Sequence, residues 1–124
     1  MFTVSIKGVF CTEAGEVVLL MNERGEWELP GGRIEIGERP RQCVEREIRE
    51  ELDVTVTAGD LLDTYLFEVV PGKHVFIATY ACVLTSSFVP RISEEHQRIG
   101  LFAPGKLPEN LPHGYRTSIA AWRC

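Results

Sequence analysis

The chain has 124 residues, of which 44% are hydrophobic and 25% are charged, a composition typical of one soluble globular domain. Its formal net charge of -5 disfavours unspecific attraction to nucleic acid or to an anionic membrane surface, because both carry negative charge. No apolar run is long enough to cross a bilayer, and the first residues have no signal-peptide pattern. We therefore expect a single domain over residues 1–124 with a cytoplasmic location.

The first 53 residues are predicted to form extended segments, turns and one helix. Residues 2–11 and 16–23 are rich in β-branched and aromatic types, and the intervening TEAG favours a hairpin. A second turn and a short extended segment lead to Pro30-Gly31-Gly32. A helix is then predicted from Pro40, which suits a first turn, to Leu52 or Asp53. Its apolar stripe is formed by Val44, Ile48 and Leu52.

The remaining chain is predicted to be mostly extended, with one more helix. Residues 54–70 form an extended segment interrupted by AGD, and PGK at 71–73 predicts a hairpin turn into residues 74–85. A polar stretch and a proline-rich loop precede a short helix over residues 114–122. Strands, a helix, more strands and a last helix together predict the α/β (α+β) class, as a sandwich.

The four cysteines show no C-x-x-C spacing, so the sequence indicates neither a zinc site nor a disulfide framework. Cys11, Cys43 and Cys82 are interpreted as small apolar fillers. Cys124 receives no role.

Three glutamates of the predicted helix point in one direction. At about 100° per residue, Glu47, Glu50 and Glu51 fall within roughly 100° of arc, beside the apolar stripe. Carboxylates so close raise the proton affinity of one another unless a cation neutralises them, and oxygen ligands suit Mg²⁺ or Mn²⁺. The alternative is a solvated face on which these glutamates form weak pairs with Arg46 and Arg49.

The spacing around this helix favours the first interpretation. Gly32 is followed after five residues by Glu38, and after seven more by the segment REIREELDV, which begins at Arg46. This resembles the Nudix hydrolase signature G-x5-E-x7-R-E-U-x-E-E-x-G-U, in which U is aliphatic. The single departure is Asp53, where the family has glycine. The preceding WELPGG is also the usual lead-in to that signature.

Several properties are implied by the resemblance. Nudix proteins have an α/β/α sandwich with a mixed β-sheet, and they hydrolyse compounds in which a nucleoside diphosphate is linked to another group. Carried onto this chain, Glu47, Glu50 and Glu51 become ligands of Mg²⁺ or Mn²⁺, joined by a main-chain carbonyl at Gly31. A metal-activated water would attack phosphorus. Glu38 and Arg46 would then support the ligands.

The general base varies in position within the family, so Glu50, Glu51 and Glu95 are all catalytic candidates. Glu95-His96, followed by Leu101-Phe102, resembles a downstream E-H-x-x-x-x-W/F segment. On that basis Glu95 is a candidate for an additional metal ligand or for the base. Glu94 could shift this register by one residue, and the pair could equally be a solvated turn.

Substrate recognition is the least determined property. Arg33 is a candidate phosphate contact or a strand-surface charge, and Tyr115 could stack on a base or anchor the last helix. A nucleoside triphosphate, a nucleotide sugar and an ADP-ribose compound remain open as substrates, and stable binding of nucleic acid or of a membrane is not expected. Many relatives are dimers, so a homodimer is considered. A nucleotide sensor without turnover is the alternative function, but the intact glutamates favour an enzyme.

Overall fold

Seven strands and two helices occur in the part of the chain that the computed structural model describes, residues 2–91, 96 and 98–122. The strands are β1 (Thr3–Val9), β2 (Val17–Met21), β3 (Trp27–Glu28), β4 (Gly31–Arg33), β5 (Val56–Val70), β6 (Lys73–Leu84) and β7 (Arg98–Phe102). The helices are α1 (Pro40–Leu52) and α2 (His113–Ala120). The predicted α/β (α+β) class is confirmed.

The strands are divided between two sheets. One has the order β4-β1-β6-β5, in which β1 runs parallel to β6 and antiparallel to β4, so this sheet is mixed. The other has the order β3-β2-β7 and is antiparallel. β1 therefore lies between β4 and β6, and β4, which carries Gly31 and Gly32, is an edge strand of this sheet.

The hairpin predicted from residues 2–11 and 16–23 is present only next to its turn. The Thr12 N–H donates to the Glu16 carbonyl at 2.9 Å, the Val18 N–H donates to the Phe10 carbonyl at 3.2 Å, and Cys11 and Val17 form an antiparallel bridge. Beyond this point β1 and β2 enter different sheets. The reason lies in β2, all of whose residues are buried. Its alternate side chains pack into two separate apolar clusters, with Val18 in one and Leu19 in the other. A strand with apolar side chains on both faces is covered on both faces by other elements, and the turn residues before it do not indicate which sheet it joins.

Helix α1 has the bounds that the sequence predicts. Pro40 is its first residue, and Asp53 ends it in the left-handed conformation, with φ at 56° and its N–H donating to the Arg49 carbonyl at 2.8 Å. Asp tolerates this conformation better than most residues that carry a side chain. The stripe of Val44, Ile48 and Leu52 is fully buried. The flank next to this stripe carries Glu47 and Glu51.

The two apolar clusters fix the positions of the helices. The first joins the α1 stripe to β1, β2 and β6, and the second joins α2 to β2 and to Ile77 of β6. The predicted break at AGD appears as a register shift between Ala58 and Leu61, and Gly72 turns the β5–β6 hairpin with φ at 83°. Neither helix in the described ranges is long and apolar enough to cross a membrane.

The cysteines differ in part from the prediction. Cys43 and Cys82 are free and buried, and burial raises the pKa of each thiol to about 12. They are apolar fillers, as expected. Cys11 is disulfide-bonded, so its interpretation as a filler is wrong. Disulfide formation depends on which residues meet in the fold, and linear spacing does not show that. Cys124 lies outside the described residues.

Candidate active site

The Gly31–Gly32 turn holds the carboxylates of α1 at close range. Gly31 has φ at 140°, and its N–H donates to Glu51 Oε1 at 2.8 Å. A Cβ at Gly31 would collide with the Ile6 carbonyl oxygen, and a Cβ at Gly32 would lie 2.5 Å from Glu47 Oε2. Both positions therefore require glycine, one for its backbone conformation and one because a carboxylate occupies the space.

These groups share one cavity of about 840 Å³. Five of the predicted site residues line it, namely Gly31, Arg33, Glu47, Glu50 and Glu51. The helix contributes three carboxylates to the cavity, and β4 contributes the turn and a guanidinium. The structure thus brings the predicted metal ligands and one predicted phosphate contact into the same space.

Glu51 is the most deeply placed of the three carboxylates, with only 3% of the residue exposed. Burial raises the pKa of Glu51 to about 7, and the negative charge of Glu47 adds to this rise. Lys7 and the N–H of Gly31 act in the opposite direction without cancelling it. The ionised form of Glu51 is therefore disfavoured in the metal-free protein.

Arg46 links helix α1 to β4 and to the loop between them. Its guanidinium donates to Glu38 Oε2 at 2.6 Å, to Glu47 Oε1 at 3.0 Å and to Glu50 Oε2 at 3.1 Å. It also donates to the Arg33 carbonyl at 3.2 Å. The hydrogen bond from Arg46 lowers the pKa of Glu38 to about 2. Arg46 thus ties two of the α1 glutamates to the loop before the helix, as expected for a supporting residue.

The donor set fits a hard divalent cation. The groups available are carboxylate oxygens and a turn carbonyl, and such oxygen-only sets suit Mg²⁺ or Mn²⁺. Within the described ranges, no three His, Cys, Asp or Glu side chains are gathered closely enough to hold a metal. Arg46 occupies one oxygen each of Glu47 and Glu50, which keeps these carboxylates turned toward the guanidinium. The fit therefore rests on the shared cavity and on the buried Glu51 carboxylate, whose ionised form a cation would stabilise.

Two other predicted residues are placed differently. Glu95 and Glu94 lie outside the described residues, so their roles stay predictions. Tyr115 is 4% exposed and packs in the second apolar cluster, with its ring centroid 6.1 Å from that of Phe67. It does not line the cavity, a position that agrees with its anchoring α2. Its contact with a substrate also stays a prediction.

The family model of the NUDIX domain matches residues 1–122 of this chain. The chain belongs to the Nudix family. A MutT-like protein from Streptomyces ambofaciens is 29% identical over 114 residues, which cover 91% of this chain and 71% of the relative. An 8-oxo-dGTP diphosphatase from Proteus vulgaris is 33% identical over 78 residues, which cover 59% of this chain and 69% of the relative.

A solved structure agrees with this membership. The crystal structure of a MutT NUDIX hydrolase from Burkholderia pseudomallei is 27% identical, covers 98% of each chain and superposes with a TM-score of 0.83. The predicted Nudix fold and the assignment as a Nudix pyrophosphohydrolase are confirmed. Nudix hydrolases generally use divalent metals, which agrees with the oxygen donors described above.

The Nudix cavity is also lined by residues that were not named as site candidates from the sequence, namely Asn22, Glu28 and His96. Glu28 Oε1 accepts a hydrogen bond from Asn22 Nδ2 at 3.0 Å, and Glu28 Oε2 lies 2.9 Å from His96 Nε2. Lys7 Nζ lies 3.8 Å from the same Oε2. His96 Nε2 is also 3.6 Å from Glu51 Oε2. The available signal was the glutamate of the WELPGG lead-in, which was noted only as part of a pattern.

Replacing Gly32 by alanine tests whether the position of the Glu47 carboxylate against the turn is needed for activity. The added Cβ would displace the Glu47 carboxylate, which lies at the end of a flexible side chain, so we expect little change in thermal stability. We expect kcat/KM to fall by about 10- to 100-fold, because a ligand displaced by about 1 Å loses its working geometry. Gly105→Ala is the matched control, since a Cβ there meets nothing within 4 Å. Equal activity of the two variants would contradict this role of Gly32.

Proposed function

We propose that this Nudix protein hydrolyses a pyrophosphate bond in a compound in which a nucleoside diphosphate is linked to another moiety, with Mg²⁺ or Mn²⁺ as cofactor. The observation that carries the proposal is the single cavity lined by Glu47, Glu50, Glu51 and the Gly31–Gly32 turn. A water molecule attacks phosphorus in this scheme, so no serine or cysteine nucleophile is required.

Each residue has a defined part in this proposal. Glu47, Glu50, Glu51 and the carbonyl of Gly31 would hold the cation. When bound, a divalent cation neutralises pyrophosphate charge and lowers the pKa of water. Glu51 is held by the Gly31 N–H on one oxygen, and its other oxygen faces His96 at 3.6 Å. That orientation suits a carboxylate that accepts a proton from a water molecule in the cavity.

Glu50 and Glu95 remain further candidates for the base. The Glu50 side chain lines the cavity but is largely exposed, and it pairs with Arg46. Glu95→Gln and Glu50→Gln should be compared in the same assay. A kcat that stays unchanged in one of these variants removes that residue from the list of candidates.

A nucleoside triphosphate is the substrate class that we favour among those considered. The relative from Proteus vulgaris carries the name 8-oxo-dGTP diphosphatase, and its similarity supports this class. Arg24 and Arg33 also line the cavity and provide positive charge for phosphate oxygens. Nucleotide sugars and ADP-ribose compounds belong in the same screen, because they also contain a nucleoside diphosphate linked to another group.

The deciding experiment is a substrate screen with the purified chain. Nucleoside triphosphates, nucleotide sugars, ADP-ribose and dinucleoside polyphosphates should be incubated with Mg²⁺, with Mn²⁺ and with a chelator. We expect metal-dependent release of a nucleoside monophosphate together with pyrophosphate or a second phosphorylated product. Tight nucleotide binding without turnover of any compound would contradict hydrolysis and would favour the sensor function.

Three further expectations belong to this proposal. We propose that residues 1–124 act as a single Nudix domain, that the protein works in the cytoplasm, and that it forms a homodimer. Sedimentation of the purified chain over a range of concentrations tests the last of these.

A further inference from the structure

His96 is a buried histidine that lines the Nudix cavity together with Glu28 and Glu51. Its side chain is only 6% exposed. His96 Nε2 lies 2.9 Å from Glu28 Oε2 and 3.6 Å from Glu51 Oε2. One ring nitrogen therefore faces two carboxylates, of which one belongs to β3 and the other to α1.

The shorter of these two contacts anchors the imidazole ring to β3. The contact with Glu28, at 2.9 Å, has the length of a hydrogen bond, whereas the 3.6 Å to Glu51 is too long for one. The carboxylate accepts, so Nε2 is the nitrogen that donates. The other oxygen of Glu28 accepts from Asn22 Nδ2 at 3.0 Å, and Lys7 Nζ lies 3.8 Å from Glu28 Oε2. The position of the ring is therefore set by Glu28 and its neighbours.

The two oxygens of Glu51 are both reached from the WELPGG segment. Glu51 Oε1 accepts a hydrogen bond directly from the Gly31 N–H at 2.8 Å. Glu51 Oε2 meets the ring of His96, which Glu28 of the same segment holds. A hydrogen bond to one oxygen leaves a carboxylate free to turn about that bond, and a second group beside the other oxygen limits this rotation. The ring therefore completes what the turn begins.

We propose that His96 is a positioning residue, held in place by Glu28, whose ring fixes the second oxygen of Glu51 in the cavity. The ring also lies between two carboxylates whose negative charges would otherwise repel one another. Without the ring, Glu51 Oε2 should lose its fixed orientation. This inference rests on the proposed function, in which Glu51 is a ligand of the cation.

Packing alone does not account for a histidine at this position. His96 Nδ1 is buried and has no hydrogen-bond partner among the described residues. A buried polar atom without a partner costs free energy, so an apolar side chain would fill the same space more favourably. The property that distinguishes histidine from an apolar residue here is the contact of Nε2 with the two carboxylates.

Three substitutions of His96 separate the contribution of Nε2 from that of the rest of the ring. Glutamine places an amide nitrogen near the position of Nε2, asparagine reaches only that of Nδ1, and leucine supplies bulk without a donor. Binding of Mn²⁺ is measured by calorimetry without nucleotide. We expect the affinity to fall by about 10- to 100-fold in His96→Asn and His96→Leu, because a ligand has lost its support. His96→Gln should retain most of the affinity.

His74→Asn and His74→Leu are the matched controls. His74 lies on β6, outside the cavity, and its Nε2 is 3.5 Å from Glu68 Oε2. Both controls should bind Mn²⁺ as the unaltered protein does. Equal affinities in the three His96 variants overturn the proposal, and the comparison of glutamine with asparagine decides it even if leucine disturbs the fold. Tighter binding in His96→Leu also overturns it, because the ring would then compete with the cation for Glu51.

A kinetic test distinguishes positioning from contact with the substrate. In His96→Asn, kcat should fall and the Mg²⁺ concentration that gives half the maximal rate should rise, while KM for the nucleotide changes little. A higher KM with an unchanged kcat overturns the proposal, because His96 would then act on the substrate. Absence of turnover in the unaltered protein contradicts only the proposed hydrolysis, since Mn²⁺ binding tests the positioning role by itself. Absence of Mn²⁺ binding to the unaltered protein contradicts the proposed ligands and overturns this inference with them.

Discussion

Replacing Glu51 by glutamine is expected to lower the kcat of the Mg²⁺-dependent reaction by about 10³-fold and to leave the fold intact. Glutamine has the same shape and keeps an oxygen that can accept the 2.8 Å hydrogen bond from the Gly31 N–H. It loses the negative charge, which the proposal requires both for holding the cation and for accepting a proton. The measurement is a steady-state assay on the substrate identified by the screen, together with a thermal unfolding curve.

Glu45→Gln is the matched control for this variant. Glu45 lies on the same helix, outside the cavity, and its Oε2 accepts a hydrogen bond from the Ala58 N–H at 2.8 Å. Glutamine can also accept that bond, so kcat should stay within about twofold of the unaltered value. If Glu51→Gln kept more than a tenth of the activity, Glu51 would have neither of its proposed roles.

The helix and its carboxylates could be predicted because their determinants are local. The apolar stripe of Val44, Ile48 and Leu52 repeats at helical spacing, and the same periodicity places Glu47 and Glu51 together on the neighbouring flank. The turn could be predicted for the same reason, since its glycines are adjacent in the sequence. The part of the cavity formed by β4 and α1 therefore follows from one continuous segment.

The group around Glu28 could not be predicted because its residues meet only in the fold. Lys7 alternates with Val4 and Ile6 along β1, and that pattern is typical of a polar face exposed to solvent. In the structure this face is covered by the second apolar cluster, and Lys7 is buried against Tyr115. The same lack of long-range information explains why the hairpin was predicted along both strands, since nothing in β1 itself indicates that it pairs with β6 rather than with β2.

The metal-free protein is expected to lose stability as the pH rises from about 4.5 to about 7, the interval over which burial displaces the pKa of Glu51. In this interval the folded protein keeps a proton on Glu51 that the unfolded chain releases, so a higher pH favours unfolding. The displacement corresponds to about 3 kcal/mol of unfolding free energy. The raised pKa of His96, which is due mainly to Glu28 and opposed by burial, acts in the same direction.

Glu51→Gln isolates the contribution of Glu51 to this pH dependence, because glutamine does not titrate. Urea unfolding in the presence of a chelator at pH 5 and pH 8 should show a smaller difference for the variant than for the unaltered protein, with the variant more stable at pH 8. Parallel pH profiles would contradict the assignment of the shift to Glu51. At pH 8 added Mg²⁺ should stabilise the unaltered protein and have little effect on the variant, because a cation that binds the ionised carboxylate favours the folded state. The burial that makes Glu51 costly to ionise in the empty cavity is thus the property that gives the cavity its affinity for a divalent cation.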